Sequence, residues 1–247
     1  MTIGLFIPCY VDQFYPKVAI ATLELLEKQG VKVVFPLKQT CCGQPMANSG
    51  FENLTKGCNE LFIDNFSGLD YILSPSGSCV LHIKDHLHDK KRESEARAIR
   101  TRIYELTEFL TDILKVEKLN ARFPYKVGVH QSCHGQRGLK ISQMSELVAE
   151  PFSKPGKLLN MVEDIELINL GRPDECCGFG GTFCVFEEAV SVKMGKDRVK
   201  DHLQHGAEFI TSADMSCLMH MEGILRREKS KVQVRHIAEI LNAAPSP

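Results

Sequence analysis

The chain has 247 residues, 30 Lys+Arg against 31 Asp+Glu, 43% hydrophobic residues, 10 Cys and no Trp. That length suits one large domain or two small ones, and the composition excludes a disordered, collagenous or coiled-coil protein. A net charge of −1 supplies no field for nucleic acid or anionic lipid. No apolar run approaches the ~20 residues of a membrane span. The opening Met1-Thr2-Ile3-Gly4-Leu5-Phe6-Ile7-Pro8 lacks the basic start of a secretory leader, so a cytoplasmic protein is expected.

In chain order, residues 3–7, 31–35 and 71–73 are short, apolar and partly β-branched, as buried parallel strands are. Between the first two, residues 18–29 carry one apolar stripe and stop at Gly30, a helix-ending signal. Cys58 falls among apolar residues of a further helical stretch and reads as a buried structural thiol. Residues 84–102, with Lys90-Lys91-Arg92, are dense in charge of both signs; they read as an exposed helix or loop, with a docking surface as the sharper alternative. Residues 126–130, 167–170 and 208–211 then repeat the strand pattern, with 232–234 as an extra strand, and residues 187–203 form a long helix. Strands alternating with helices at this interval mean βαβ units and an α/β fold.

The cysteines repeat as well. Cys41-Cys42-Gly43 and Cys176-Cys177-Gly178 each have one cysteine upstream, Cys9 or Cys133, and one downstream, Cys79 or Cys217. The upstream spacings are 32 and 43 residues and the downstream spacings 37 and 40. Ser78-Cys79-Val80-Leu81-His82 also matches Ser216-Cys217-Leu218-Met219-His220. Two homologous Rossmann-like halves related by a pseudo-two-fold are therefore expected, spanning 1–118 and 122–247, each with a short parallel sheet.

In each half the four cysteines follow the first, second and third strands, and the carboxyl ends of parallel strands are where such folds bind ligands. One four-thiolate pocket per half is expected: Cys9, Cys41, Cys42 and Cys79, then Cys133, Cys176, Cys177 and Cys217. Thiolates suit zinc or iron–sulfur chemistry. Zinc knuckles draw on close Cys-x2-Cys pairs, which are absent here, whereas adjacent cysteines from separate strand ends suit a multi-iron cluster. His82 and His220, three residues after a pocket cysteine, are weaker ligand candidates. His130 and His134 flank Cys133 and read first as strand-end polar residues, and Cys184 as a bystander. The run Gly178-Phe179-Gly180-Gly181-Thr182 lacks the spacing and the Lys-Ser/Thr of a phosphate loop.

This doubled pattern of one cysteine, Cys-Cys-Gly and one cysteine resembles the tandem cysteine-rich (CCG) domain family. That family includes the cysteine-rich subunit of heterodisulfide reductase, the iron–sulfur subunit of glycolate oxidase, and the small iron–sulfur subunits of lactate utilization systems, to which the resemblance is greatest. It is carried by Pro75-Ser76-Gly77-Ser78-Cys79, His130-Gln131-Ser132-Cys133-His134, Cys176-Cys177-Gly178-Phe179-Gly180-Gly181-Thr182-Phe183 and Ser216-Cys217-Leu218-Met219-His220, and covers essentially the whole chain. The resemblance implies one iron–sulfur cluster of [4Fe–4S] type per half, electron transfer during oxidation of L-lactate or another 2-hydroxy acid, and two partners: a ferredoxin-domain iron–sulfur subunit and a third small subunit. The heterodisulfide reductase pattern ends in Cys-x-x-Cys, giving five cysteines per half. Here each half has four, and Ser76 and Asp214 stand where the other falls. Disulfide reduction and a zinc-binding scaffold remain the alternatives.

Overall fold

A computed structural model describes residues 1–244. Strands β1 (Thr2–Leu5), β2 (Lys32–Val34), β3 (Tyr71–Ser74) and β4 (Ile103–Glu105) form one sheet in the order β2-β1-β3-β4. Strands β5 (Lys126–Val129), β6 (Glu166–Leu167), β7 (Phe209–Ser212) and β8 (Gln233–His236) form a second in the matching order β6-β5-β7-β8. Every pairing within both sheets is parallel. The protein is thus an α/β fold of two similar halves.

The first half carries helices α1 (Cys9–Phe14), α2 (Pro16–Lys28), α3 (Gln44–Asn48), α4 (Lys56–Phe66), α5 (Gly77–His86), α6 (Glu93–Arg102) and the single turn α7 (Leu106–Glu108). The second carries α8 (Lys154–Leu159), α9 (Phe183–Phe186), α10 (Glu188–Gln204), α11 (Met215–Arg227) and α12 (Ile237–Leu241). Helix α2 shows why the pattern folds as it does. Pro16 starts it where no amide partner is needed, and Val18, Ala21, Leu25 and Leu26 bury one stripe. The chain leaves through Gly30 at a φ of 72°. That stripe packs against α12 of the other half, and the apolar side chains of both belong to one continuous core.

The departures from the sequence pattern are local. Strand β1 stops at Leu5, because the Ile7 amide leaves the ladder to donate to Gln39 Oε1 at 2.8 Å. Strand β6 is only two residues, although the Ile168 amide still reaches Val127 O at 3.1 Å. Strand β4 has no signature of its own: three residues lie between a charged helix and another turn. It matches β8, since both pair with the third strand of their half and both end in a side chain that caps the next helix. Glu105 accepts from the Thr107 and Glu108 amides, and His236 Nδ1 from the Ala238 amide. The charged stretch 84–102 divides into the end of α5, a turn and α6, which buries Ala96 and Ile99.

The halves meet at their equivalent points. Ser76 and Asp214 occupy the N-cap positions of α5 and α11 and pair with each other as an antiparallel bridge. A residue paired with its own counterpart lies on a pseudo-two-fold axis. The Asp214 carboxylate, fully buried, accepts from the Ser78 amide across the seam at 2.8 Å and from Ser216 Oγ on its own side at 2.7 Å. The Tyr10 hydroxyl lies 2.9 Å from Ser76 Oγ and donates to Asp214 Oδ1 at 3.4 Å, so the axis is crossed by hydrogen bonds from three elements.

Replacing this carboxylate would strand several buried donors at once. Asp214→Ala is expected to lower unfolding stability by about 3 kcal/mol, measured by chemical denaturation, with Asp214→Asn losing less. An alanine variant as stable as the parent would contradict this role for the seam.

Candidate metal centre

The cysteines of each half gather at the carboxyl edge of its sheet. Cys9 opens α1 just beyond β1, Cys41 and Cys42 sit in the loop between β2 and α3, and Cys79 lies in the first turn of α5 after β3. Cys133 follows β5, Cys176 and Cys177 lie between β6 and α9, and Cys217 lies in the first turn of α11 after β7. Thiol contacts run Cys9–Cys41–Cys42–Cys79 in the first half, and Cys42 and Cys79 sulfurs are 3.5 Å apart. The second half repeats the chain as Cys133–Cys176–Cys177–Cys217. Cys42, Cys79, Cys177 and Cys217 are buried; Cys9 is exposed and the others half-buried.

Glycine makes the central turn possible. Gly43 and Gly178 have φ of 91° and 85°, in the left-handed region where a side chain is strained. A Cβ at Gly178 would also lie 2.6 Å from Met194 Cβ and 2.8 Å from Ser191 O. This conformation turns each glycine amide back onto the cysteine two residues earlier. Gly43 N donates to Cys41 Sγ and Gly178 N to Cys176 Sγ, both at 3.4 Å. Ser132, immediately before Cys133, has a φ of 59°, which is backbone strain placed at the site.

The thiols share charge unequally. Donation from Cys42 and then from Cys9, with help from the Gly43 amide, pulls Cys41 down to about 2. Cys176 is pulled down to about 2 by Cys133, then Cys177 and the Gly178 amide. Cys9 and Cys133 are pushed up, first as donors to those neighbours and then by partial loss of solvent around the sulfur. Cys42 and Cys177 rise for the same reasons. In each group the cysteine before the buried member of the pair is thus the one that most favours the thiolate, and its two contacting thiols are held toward the protonated form. Full deprotonation requires a multivalent cationic partner, as metal ligation supplies. Four converging thiols with an amide donor fit a cluster or a thiolate-bound metal.

The remaining candidates separate. His82 is buried beside Cys41 and Cys42, stacks on His86 at 4.9 Å, and is pushed down to about 4 by burial. His220, half-buried, senses the Cys176 charge, and its Nε2 lies 3.2 Å from Ser191 O. The His134 Nδ1 atom lies 3.9 Å from Cys133 Sγ. Cys58, half-buried, sits next to the Cys-Cys-Gly turn of the first half, and the Cys184 thiol donates to Gly181 O at 3.1 Å. His130 is more than a strand-end polar residue: it is buried, and one of its nitrogens lies within 4.8 Å of the Cys177 and Cys217 sulfurs. Two further residues stand at the site, neither of them among the ligand candidates read from the sequence. Tyr10, beside both Cys79 and Cys217, joins the two groups, and Asp214 lies near Cys133. Tyr10 follows Cys9 directly, and only the seam, invisible in one dimension, reveals what it touches.

Anaerobic alkylation of the metal-free, fully reduced protein at pH 6 is expected to label Cys41 and Cys176 faster than Cys9, despite the greater exposure of Cys9, when sites are ranked by mass spectrometry. First labelling at Cys9 would contradict the charge distribution.

The family model for the cysteine-rich (CCG) domain matches residues 3–84 and 127–222. Lactate utilization protein A of Exiguobacterium sp. (strain ATCC BAA-1283 / AT1b) is 42% identical over 246 residues, covering 97% of this chain and 96% of that protein. Lactate utilization protein A of Geobacillus sp. (strain WCH70) is 38% identical over 247 residues, covering 98% and 100%. Among solved structures, a hypothetical protein from Helicobacter pylori shares the fold with a TM-score of 0.59 at 14% identity, over 97% of this chain and 48% of that one.

Proposed function

The chain belongs to the cysteine-rich (CCG) domain family, and from that premise we propose that it is an iron–sulfur electron-transfer subunit of a system that oxidises L-lactate to pyruvate. The observation that supports this most is the duplicated four-thiol group, built twice at the same sheet edge in a chain matching lactate utilization proteins end to end. In this reading 1–118 and 122–247 are the two domains. Cys9, Cys41, Cys42 and Cys79 hold one [4Fe–4S]-type cluster, and Cys133, Cys176, Cys177 and Cys217 hold the other.

A cluster of this type supplies one-electron storage. Conversion of lactate to pyruvate releases two electrons and two protons, so two sites in one chain match the electron count. The Gly43 and Gly178 amides stabilise the central thiolates, and burial of Cys42, Cys79, Cys177 and Cys217 keeps water from half of the ligand set. Tyr10 and Asp214 hold the halves in register, which fixes the separation of the two sites. The lactate-oxidising chemistry and the onward acceptor belong in this proposal to cytoplasmic partners, a ferredoxin-domain iron–sulfur subunit and a third small subunit. Among the described residues no helix is long and apolar enough to cross a membrane. Ser76 and Asp214 are engaged in the seam, and neither supplies the additional thiolate of the disulfide-reducing relatives, which favours electron transfer over disulfide cleavage.

Anaerobic reconstitution followed by chemical assay is expected to give about eight iron and eight sulfide per chain, falling to about half in Cys42→Ser and in Cys177→Ser. Stoichiometric zinc without iron would replace the proposal by the scaffold alternative.

A further inference from the structure

His130 stands in the second half where Phe6 stands in the first. Each follows its opening strand by one residue, and each donates its amide to the third strand, Phe6 N to Leu73 O and His130 N to Thr211 O, both at 2.8 Å. Behind Phe6 are Phe62 and Phe66 of α4, with ring centroids 4.9 and 5.9 Å from it. The matching places on α10 hold Arg198 and His202. Contacts set this correspondence. Phe66 occupies the space over Gly4 as His202 does over Gly128, and Thr55 sits against Gly43 as Ser191 does against Gly178. Three phenyl rings in one half are therefore two imidazoles and a guanidinium in the other, all buried.

The exchange bears on the cysteines. Phe6 packs in one apolar cluster with Cys42 and Cys79. His130, against the equivalent Cys177 and Cys217, brings a nitrogen within 4.8 Å of both sulfurs. Neither of its nitrogens has a hydrogen-bond partner, and His202 is likewise unpartnered. A buried imidazole left unbonded is unfavourable, and a polar side chain is retained there at the expense of packing. The imidazole thus offers the thiol group a nitrogen that nothing else in the protein engages. His82, the nearest imidazole of the first half, lies instead beside Cys41 and Cys42 and stacks on His86.

We propose that His130 is a nitrogen ligand of the metal centre in the second half, whereas the first half, with Phe6 in that place, is ligated by thiolates alone. The inference rests on the iron–sulfur reading of the two thiol groups.

The test uses full-length protein grown on [15N]histidine and reconstituted anaerobically, examined by pulsed electron paramagnetic resonance. In Cys42→Ser, which retains the second site, a directly bonded imidazole nitrogen coupling is expected. It should be absent in Cys177→Ser, which retains the first. Combining Cys42→Ser with His130→Phe should remove the coupling. A second site with clusters but no imidazole coupling overturns this inference and leaves the electron-transfer reading standing. Clusters in neither half overturn both. If His130→Phe does not fold, the labelled Cys42→Ser protein decides the matter alone.

Discussion

One buried carboxylate ties the architecture to its chemistry. Asp214 sits where the third strand of one half ends beside the third strand of the other, and it accepts hydrogen bonds from both sides of that seam. A buried charge is tolerated only when its acceptor sites are filled, so the Ser78 amide, Ser216 and Tyr10 must all be in place. Those donors fix the first turns of α5 and α11, and these turns carry Cys79 and Cys217. The seam therefore sets the position of the last cysteine in each group and the relation between the groups.

The rest of each site follows from parallel-sheet geometry. The first three strands of each half run the same way, so the residues following them emerge along one edge. Cysteines scattered over some seventy to eighty-five residues of chain are thereby brought into contact. The two glycines after the paired cysteines then turn their amides inward, which concentrates negative charge on Cys41 and Cys176. A site of this kind is poised for a polyvalent partner and is awkward without one, since four sulfurs converge in each group and neighbouring thiolates repel one another.

Much of this was legible from residue order alone. The repeat of Cys, Cys-Cys-Gly and Cys, with strand-like runs before each, was enough to place the fold class and to anticipate which cysteines gather. Strand β4 was not legible, because three residues between helical turns gain their strand character only by pairing with β3. The seam was not legible either, since Ser76 and Asp214 attract notice only as substitutes for a cysteine until the antiparallel bridge joins them. His130 could have been found: aligning the halves on their first cysteines sets it opposite Phe6, and a buried imidazole against a buried phenyl is a large difference to carry at matched positions. What hid it was that the strand-end setting already gave it an ordinary explanation.

If two clusters flank the seam, with Tyr10 beside both Cys79 and Cys217, their unpaired spins must sense each other. Electron paramagnetic resonance of the fully reduced, fully loaded protein measures this directly. The expected spectrum shows spin–spin broadening or splitting that collapses to a simple signal when Cys177→Ser removes one centre. Two full-occupancy centres whose signals are an unperturbed sum would contradict the arrangement of paired clusters about a common axis.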